Sequence, residues 1–91
     1  MSKQSDLQQQ FEKAVVESKD LSERPSNDVL LQIYALYKQA TEGDINIDPP
    51  TNPFDIVAKA KYSAWEGLKG KSKNESMQDY VDLIQNLKGE N

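Results

Sequence analysis

The chain predicts an all-α bundle of four helices on three grounds. Apolar residues recur at helical spacing in four separate stretches, capping residues bracket those stretches, and nothing alternates as a half-buried strand would. Short connections join the stretches except for one proline-bearing loop, so one bundle follows. The 91 residues fit a single domain over 1–91. A chain of this size buries only about 60 to 65% of the surface its unfolded form exposes, which leaves room for one modest core.

Helix one is expected from about Leu7 to Lys19, with Leu7, Phe11, Ala14, Val15 and Ser18 on one face and Ser5 or Asp6 as the cap. The stretch from Leu21 to Pro25 breaks the period. Helix two should begin after Pro25, with Ser26 or Asn27 as its cap, and stop at Gly43. Val29, Ile33, Leu36 and Ala40 make its central stripe. Leu30 and Tyr37 flank that stripe, and Leu31, Tyr34 and Lys38 lie farther round. The string GDINIDPPTN from 43 to 52 is loop chemistry.

Asn52 followed by Pro53 reads as an N-cap with proline at the first helical position, opening helix three, and Gly70 closes it. On this reading Phe54, Val57, Ala58, Ala64, Trp65 and Leu68 form one apolar stripe, with Lys61 near its middle. Helix four starts at a capping box of Ser72 and Glu75 and ends at Gly89. Met77, Tyr80, Val81, Ile84 and Leu87 fall on its inner face.

Composition removes several function classes. With no cysteine and no histidine, the chain has no disulfide, thiolate nucleophile, imidazole base or common type of zinc site. The 15 acidic residues include no pair marked out for general acid and base work, and no glycine-rich phosphate loop is present. A metal site, a catalytic site and a cofactor are therefore not expected. No run approaches the roughly 18 apolar residues of a membrane span, and MSKQSDLQQQ lacks the apolar core of a leader. A soluble, unexported, cytoplasmic protein is expected, without stable membrane insertion. A formal charge of −4 gives no general attraction for nucleic acid or anionic bilayers.

The residues with chemical potential lie beside the core. Tyr34 and Lys38 stand at i and i+4 and therefore share a face of helix two. Tyr34, Tyr37 and Tyr80 each place a hydroxyl on or beside a core stripe, where phenylalanine would fill the same volume without needing a hydrogen-bond partner. A lysine at a stripe edge ordinarily lays its methylenes on the core and reaches water with its amine. Together, Lys38, Lys61 and the tyrosines suggest a half-buried pocket for a ligand with an aromatic base, phosphates and an apolar part.

The runs YALYKQATEGDIN at 34–46 and KAKYSAWEGLKGKSKNESMQDY at 59–80, with FEKA at 11–14 and RPSND at 24–28, cover nearly the whole chain. They resemble the acyl-CoA-binding protein family, whose patterns are YxxYKQAT-GD-N and KxKWxAWxxLKG-S-E-AM-xY. The resemblance implies an antiparallel four-helix bundle with up-down-down-up connectivity that binds long-chain fatty acyl-CoA one to one. By the same resemblance Tyr34 and Lys38 contact the nucleotide and its 3′-phosphate, with Tyr37 lining that site. Lys61 reaches the nucleotide from helix three, and Tyr80 lies beside the adenine. Lys19 matches a basic position near the headgroup, Val15 a small residue at the pocket, and Leu30 and Leu31 apolar residues that cover the acyl chain. The chain departs from the pattern at Tyr62, where the family usually has tryptophan, at Asn27, which replaces an acidic residue, and in a connection one residue longer after helix two. These should alter packing, capping or chain-length preference and leave the phosphate-contacting set intact.

The reading is a monomeric, non-enzymatic acyl-CoA carrier and pool former that makes transient contact with acyl-CoA-using enzymes or membranes. Its rival is a helical protein-interaction module whose tyrosine-lysine surface docks a partner and admits no lipid. The rival expects a shallow apolar patch and no stabilisation by acyl-CoA.

Overall fold

Among the described residues four helices form: α1 Lys3–Ser18, α2 Asn27–Glu42, α3 Ile56–Glu66 and α4 Lys73–Leu87. The computed structural model describes residues 3–89. Met1, Ser2, Glu90 and Asn91 of the expected 1–91 domain lie outside the described residues, and among those described no strand occurs.

The ends of α2 and α4 follow their capping chemistry. The Ser26 hydroxyl accepts the Val29 N–H at 3.3 Å, and Gly43 closes α2 at φ 82°, donating its N–H to the Gln39 carbonyl. A residue with a Cβ is strained at that φ, so glycine there is a backbone requirement. The Ser72 hydroxyl accepts the Glu75 N–H at 3.0 Å and donates to the Glu75 carboxylate at 3.2 Å.

Two ends differ from expectation. Asp6 lies within the first turn of α1 and does not precede it; the Ser5 side chain lies outside what the structure describes. Helix α3 is shorter at both ends than 52–70. Asn52 Oδ1 accepts the Phe54 N–H at 2.9 Å and so makes a tight turn, while the true cap is Asp55, whose Oδ1 accepts the Ala58 N–H at 3.0 Å. The expected stripe of α3 is corrected accordingly. Phe54 precedes the helix and is 87% exposed, Val57 is 64% exposed, and Trp65 is the one residue of α3 that is fully buried.

Helix α2 is central, packing on both α4 and α3, while α1 packs on α4. Tyr34 meets Lys61 and Lys38 meets Trp65, so α2 and α3 ascend together and run parallel. The Gln39 side chain reaches the Lys71 carbonyl at 2.8 Å, which sets the C-terminal end of α2 beside the start of α4. Near the C-terminal ends of α1 and α4, Glu17 and Lys88 pair at 2.8 Å. This is the up-down-down-up arrangement.

The core holds Phe11 and Ala14 of α1, Leu36 and Ala40 of α2, and Tyr80, Val81 and Ile84 of α4, with Val15, Ile33, Met77 and Leu87 packed around it. Periodicity identifies all of these as inner-face residues, but does not mark Leu83, which packs on the same cluster, or Ala35, which is 2% exposed on α2. The same stripes also bury Gln39 and Ser76, two polar residues that periodicity does not mark as core.

Candidate functional site

Because α2 and α3 are parallel, two i, i+4 pairs face each other in matched order: Tyr34 and Lys38 on α2, Lys61 and Trp65 on α3. The Lys61 ammonium sits 5.2 Å from the centre of the Tyr34 ring, and the Lys38 ammonium 5.0 Å from the Trp65 ring. Each cation thus rests on an aromatic face of the opposite helix, an arrangement worth about 0.5 to 1 kcal/mol per pair at exposed sites. Lys61 is exposed, which corrects its expected place in the middle of a buried stripe. The stripe is broken at that point because α3 covers α2 with only part of its surface, leaving a groove.

That groove has a volume of about 390 Å³. Leu30, Leu31, Val57 and Ala60 supply its apolar surface, and Tyr34 with Lys61 forms one side. Arg24, Asn27 and Ile56 complete the lining. Four of the nine site residues expected from sequence, namely Leu30, Leu31, Tyr34 and Lys61, therefore meet in one place.

The others do not line this groove. Val15 and Tyr37 border a separate depression of about 250 Å³ between α1 and α2, together with Phe11, Glu12 and Thr41. Tyr37 is 41% exposed and stacks on Phe11 with ring centres 6.0 Å apart. Tyr80 lies behind it at 6.5 Å, buried edge-on against Phe11 at 5.1 Å. The Tyr80 hydroxyl donates to Ser18 Oγ at 3.1 Å, and Ser18 in turn donates to the Val15 carbonyl at 2.7 Å. Burial pushes the Tyr80 phenol above its ordinary value, with the Ser18 hydrogen bond opposing, so it stays protonated at neutral pH. Lys19 is exposed in the turn that follows α1, next to Ser18.

Lys38 has a second partner. Its ammonium pairs with the Glu42 carboxylate one turn on, and that hydrogen bond raises the lysine above its ordinary value and lowers the glutamate below its own. Both therefore carry full charge near neutral pH. Glu42, Arg24, Ile56 and Ala60 were not among the site residues expected from sequence. The i, i+4 spacing of Lys38 and Glu42 could have signalled the ion pair; the groove lining depended on where α3 begins. Among the described residues no cluster of three or more metal-ligating side chains occurs, and no helix is long and apolar enough to cross a membrane.

A family model described as "Acyl CoA binding protein" matches residues 8–84. The chain is 48% identical over 77 residues to a protein of Dictyostelium discoideum named "Acyl-CoA-binding protein", covering 85% of this chain and 90% of that one. It is also 48% identical over 80 residues to "Enoyl-CoA delta isomerase 2" of Rattus norvegicus, covering 88% of this chain but only 20% of that protein. The crystal structure of Oryza sativa Acyl-CoA-Binding Protein 2 superposes with a TM-score of 0.90 at 37% identity, covering 96% of this chain and 94% of that one.

Proposed function

The chain belongs to the acyl-CoA-binding protein family, and we propose that it binds long-chain acyl-CoA esters reversibly, one per molecule, as a carrier and pool former. The observation that carries this reading is the α2–α3 groove: an apolar lining of Leu30, Leu31, Val57 and Ala60 bordered by the Tyr34–Lys61 pair, with Lys38 one turn beyond Tyr34. Such a groove suits an amphiphile with a long hydrocarbon tail and an anionic, aromatic head. Burying a palmitoyl-like chain at about 0.8 kcal/mol per methylene contributes roughly 10 kcal/mol before ordering costs.

The head supplies discrimination against a free fatty acid. Lys38 and Lys61 serve as point charges for phosphate, and the Tyr34 ring offers a face for the adenine. Tyr37, Tyr80, Val15 and Lys19 extend the site toward α1 on the family pattern. The task is sequestration: the tail is kept from water while the thioester passes unchanged to its user. The isomerase relative fits a non-enzymatic role, because the matched part is a fifth of that protein and the rest is available for catalysis. The same reading has the protein cytoplasmic, monomeric and without a cofactor, and in transient contact with enzymes or membranes that exchange acyl-CoA.

Isothermal titration with palmitoyl-CoA, with palmitate and CoA as controls, tests it. One-to-one binding of the ester is expected, with palmitate much weaker. Lys38→Ala and Lys61→Ala should each weaken ester binding about tenfold or more, since a hydrogen bond to a charged group is worth about 1.5 to 3 kcal/mol. Their urea midpoints should change little. No heat at micromolar ester overturns the carrier in favour of the protein-interaction module, and normal binding by both variants overturns the lysine assignment.

A further inference from the structure

Lys38 and Glu42 share a face of α2 by helical geometry alone, and the structure joins them in an ion pair. Lys61 belongs to none of the ion pairs found among the described residues, which are Lys38–Glu42, Lys71–Asp79 and Lys88–Glu17. The two cations of the α2–α3 layer are therefore unequal. Both rest on a ring of the opposite helix, but only Lys38 already has an anion.

Helix stability gives only a weak reason for a glutamate at this position, since a lysine that precedes a glutamate by four residues is the less favourable order of the pair. Glu42 is the last residue of α2, where the helix dipole presents its negative end and disfavours a further negative charge. The carboxylate also accepts a hydrogen bond from the Asn46 side chain, which lowers it further, and with its side chain 40% exposed it can turn from the ammonium toward Asn46 and water. The Lys38 side chain is 25% exposed and is held from below by Trp65, so the ammonium stays where Glu42 finds it.

We propose that Glu42 is a built-in competitor for the ligand's phosphate at Lys38, covering the ammonium in the free protein and returning to it as the ligand leaves. This rests on the carrier reading. An ammonium has three donors, but a carboxylate and a phosphate sharing it repel each other. Each binding event therefore displaces Glu42, and each release is assisted by its return. For a carrier that must give up its cargo, an anion tethered one turn away raises the rate of release without any contact to the acyl chain. Glu42 is in this sense a residue that sets affinity and residence time.

The test is titration of wild type, Glu42→Gln, Lys38→Gln and the double variant with palmitoyl-CoA and with adenosine 3′,5′-bisphosphate, at low and high salt. Glu42→Gln should bind both probes about three- to tenfold more tightly at low salt, in line with the modest strength of a part-exposed ion pair plus the lost repulsion. Stopped-flow mixing should show the gain mainly as slower dissociation. Most of the gain should vanish in the Lys38→Gln background. The thermal midpoint of free Glu42→Gln should fall slightly, because the pair holds the Glu42 carboxyl below its ordinary value and so adds stability at neutral pH, while ligand binding should tighten, a combination that a purely structural ion pair does not give. Equal or weaker binding by Glu42→Gln, with wild type binding normally, overturns the competitor and leaves the carrier standing. A gain that survives undiminished without Lys38 overturns it too, as a general charge effect. Wild type that binds neither probe overturns both readings.

Discussion

Gln39 is the residue on which most of the site's scaffold converges. It is fully buried on a helix whose apolar stripe would accept a leucine there, yet every polar atom of its amide is engaged. Its nitrogen donates to Asp44 Oδ1 at 2.9 Å and to the Lys71 carbonyl at 2.8 Å, and its oxygen accepts from the Trp65 indole at 3.1 Å. The same indole N–H also reaches the Gly43 carbonyl at 2.9 Å. This node fixes the Trp65 ring on which Lys38 rests. Asp44 extends it by accepting the Gly70 N–H at 2.8 Å. That bond first, and the Gln39 amide second, hold the Asp44 carboxyl below its ordinary value of 3.8. A carboxylate whose folded value is depressed adds stability that is present above the unfolded value and is lost as the pH falls through the folded one. Asp44→Asn should therefore be less stable than wild type at neutral pH, and the gap should close as the pH drops below 3.8. Urea midpoints of the two proteins from pH 7 down to acid provide the check; a gap independent of pH would refute the charge-assisted role.

At the scale of the helix, the start of α3 separates what local chemistry decides from what it leaves open. Gly43 and Ser72 are legible as the end of α2 and the start of α4, and of the two caps before α2 that the sequence leaves open, Ser26 and Asn27, the structure uses Ser26. Before α3 the chain offers two caps three residues apart, Asn52 and Asp55, and both are used, one for a turn and one for the helix. Propensity alone cannot rank an N-P against a D-x-x-A at that spacing. A helix begun at Asn52 is longer and takes in Phe54, but Val57 and Lys61 share a face whichever residue caps α3, and both stand exposed because α3 covers α2 with only part of its surface. Asp55→Ala should cost about 1 kcal/mol, the usual loss when a capping side chain is removed. Asn52→Ala should cost only a few tenths, because its bond serves an exposed turn. Denaturant titration of the pair distinguishes them, and the reverse order would restore Asn52 as the working cap.

Across the whole molecule, α1 and α3 are the outer elements: among the described residues α1 packs helix to helix on α4 alone and α3 on α2 alone, whereas α2 and α4 each have two helical neighbours, and α3 is the shorter of the outer two and follows the long loop from Gly43 to Asp55. Family membership and the bundle were legible from motifs spread along the chain. The groove was legible in part: Leu30, Leu31, Tyr34 and Lys61 are expected at a pocket from sequence, while Arg24, Ile56 and Ala60 join them only because a short, parallel α3 leaves part of α2 uncovered. A ligand in that groove touches both helices and adds the contacts that α3 lacks. Binding stabilises the folded state by RT ln(1 + [L]/Kd), about 2.7 kcal/mol at a hundredfold excess over Kd, which in a domain of this size raises Tm by roughly 10 to 20 °C. The gain should be uneven. Amides of α3, which borders the groove and packs on one helix, should gain the most protection with palmitoyl-CoA, and those of α4, packed on two helices and away from the groove, the least. Hydrogen exchange with and without the ester measures this element by element. Protection concentrated in α3 and the start of α2 supports a groove site, whereas protection centred on α1 would move the acyl chain to the Val15–Tyr37 depression.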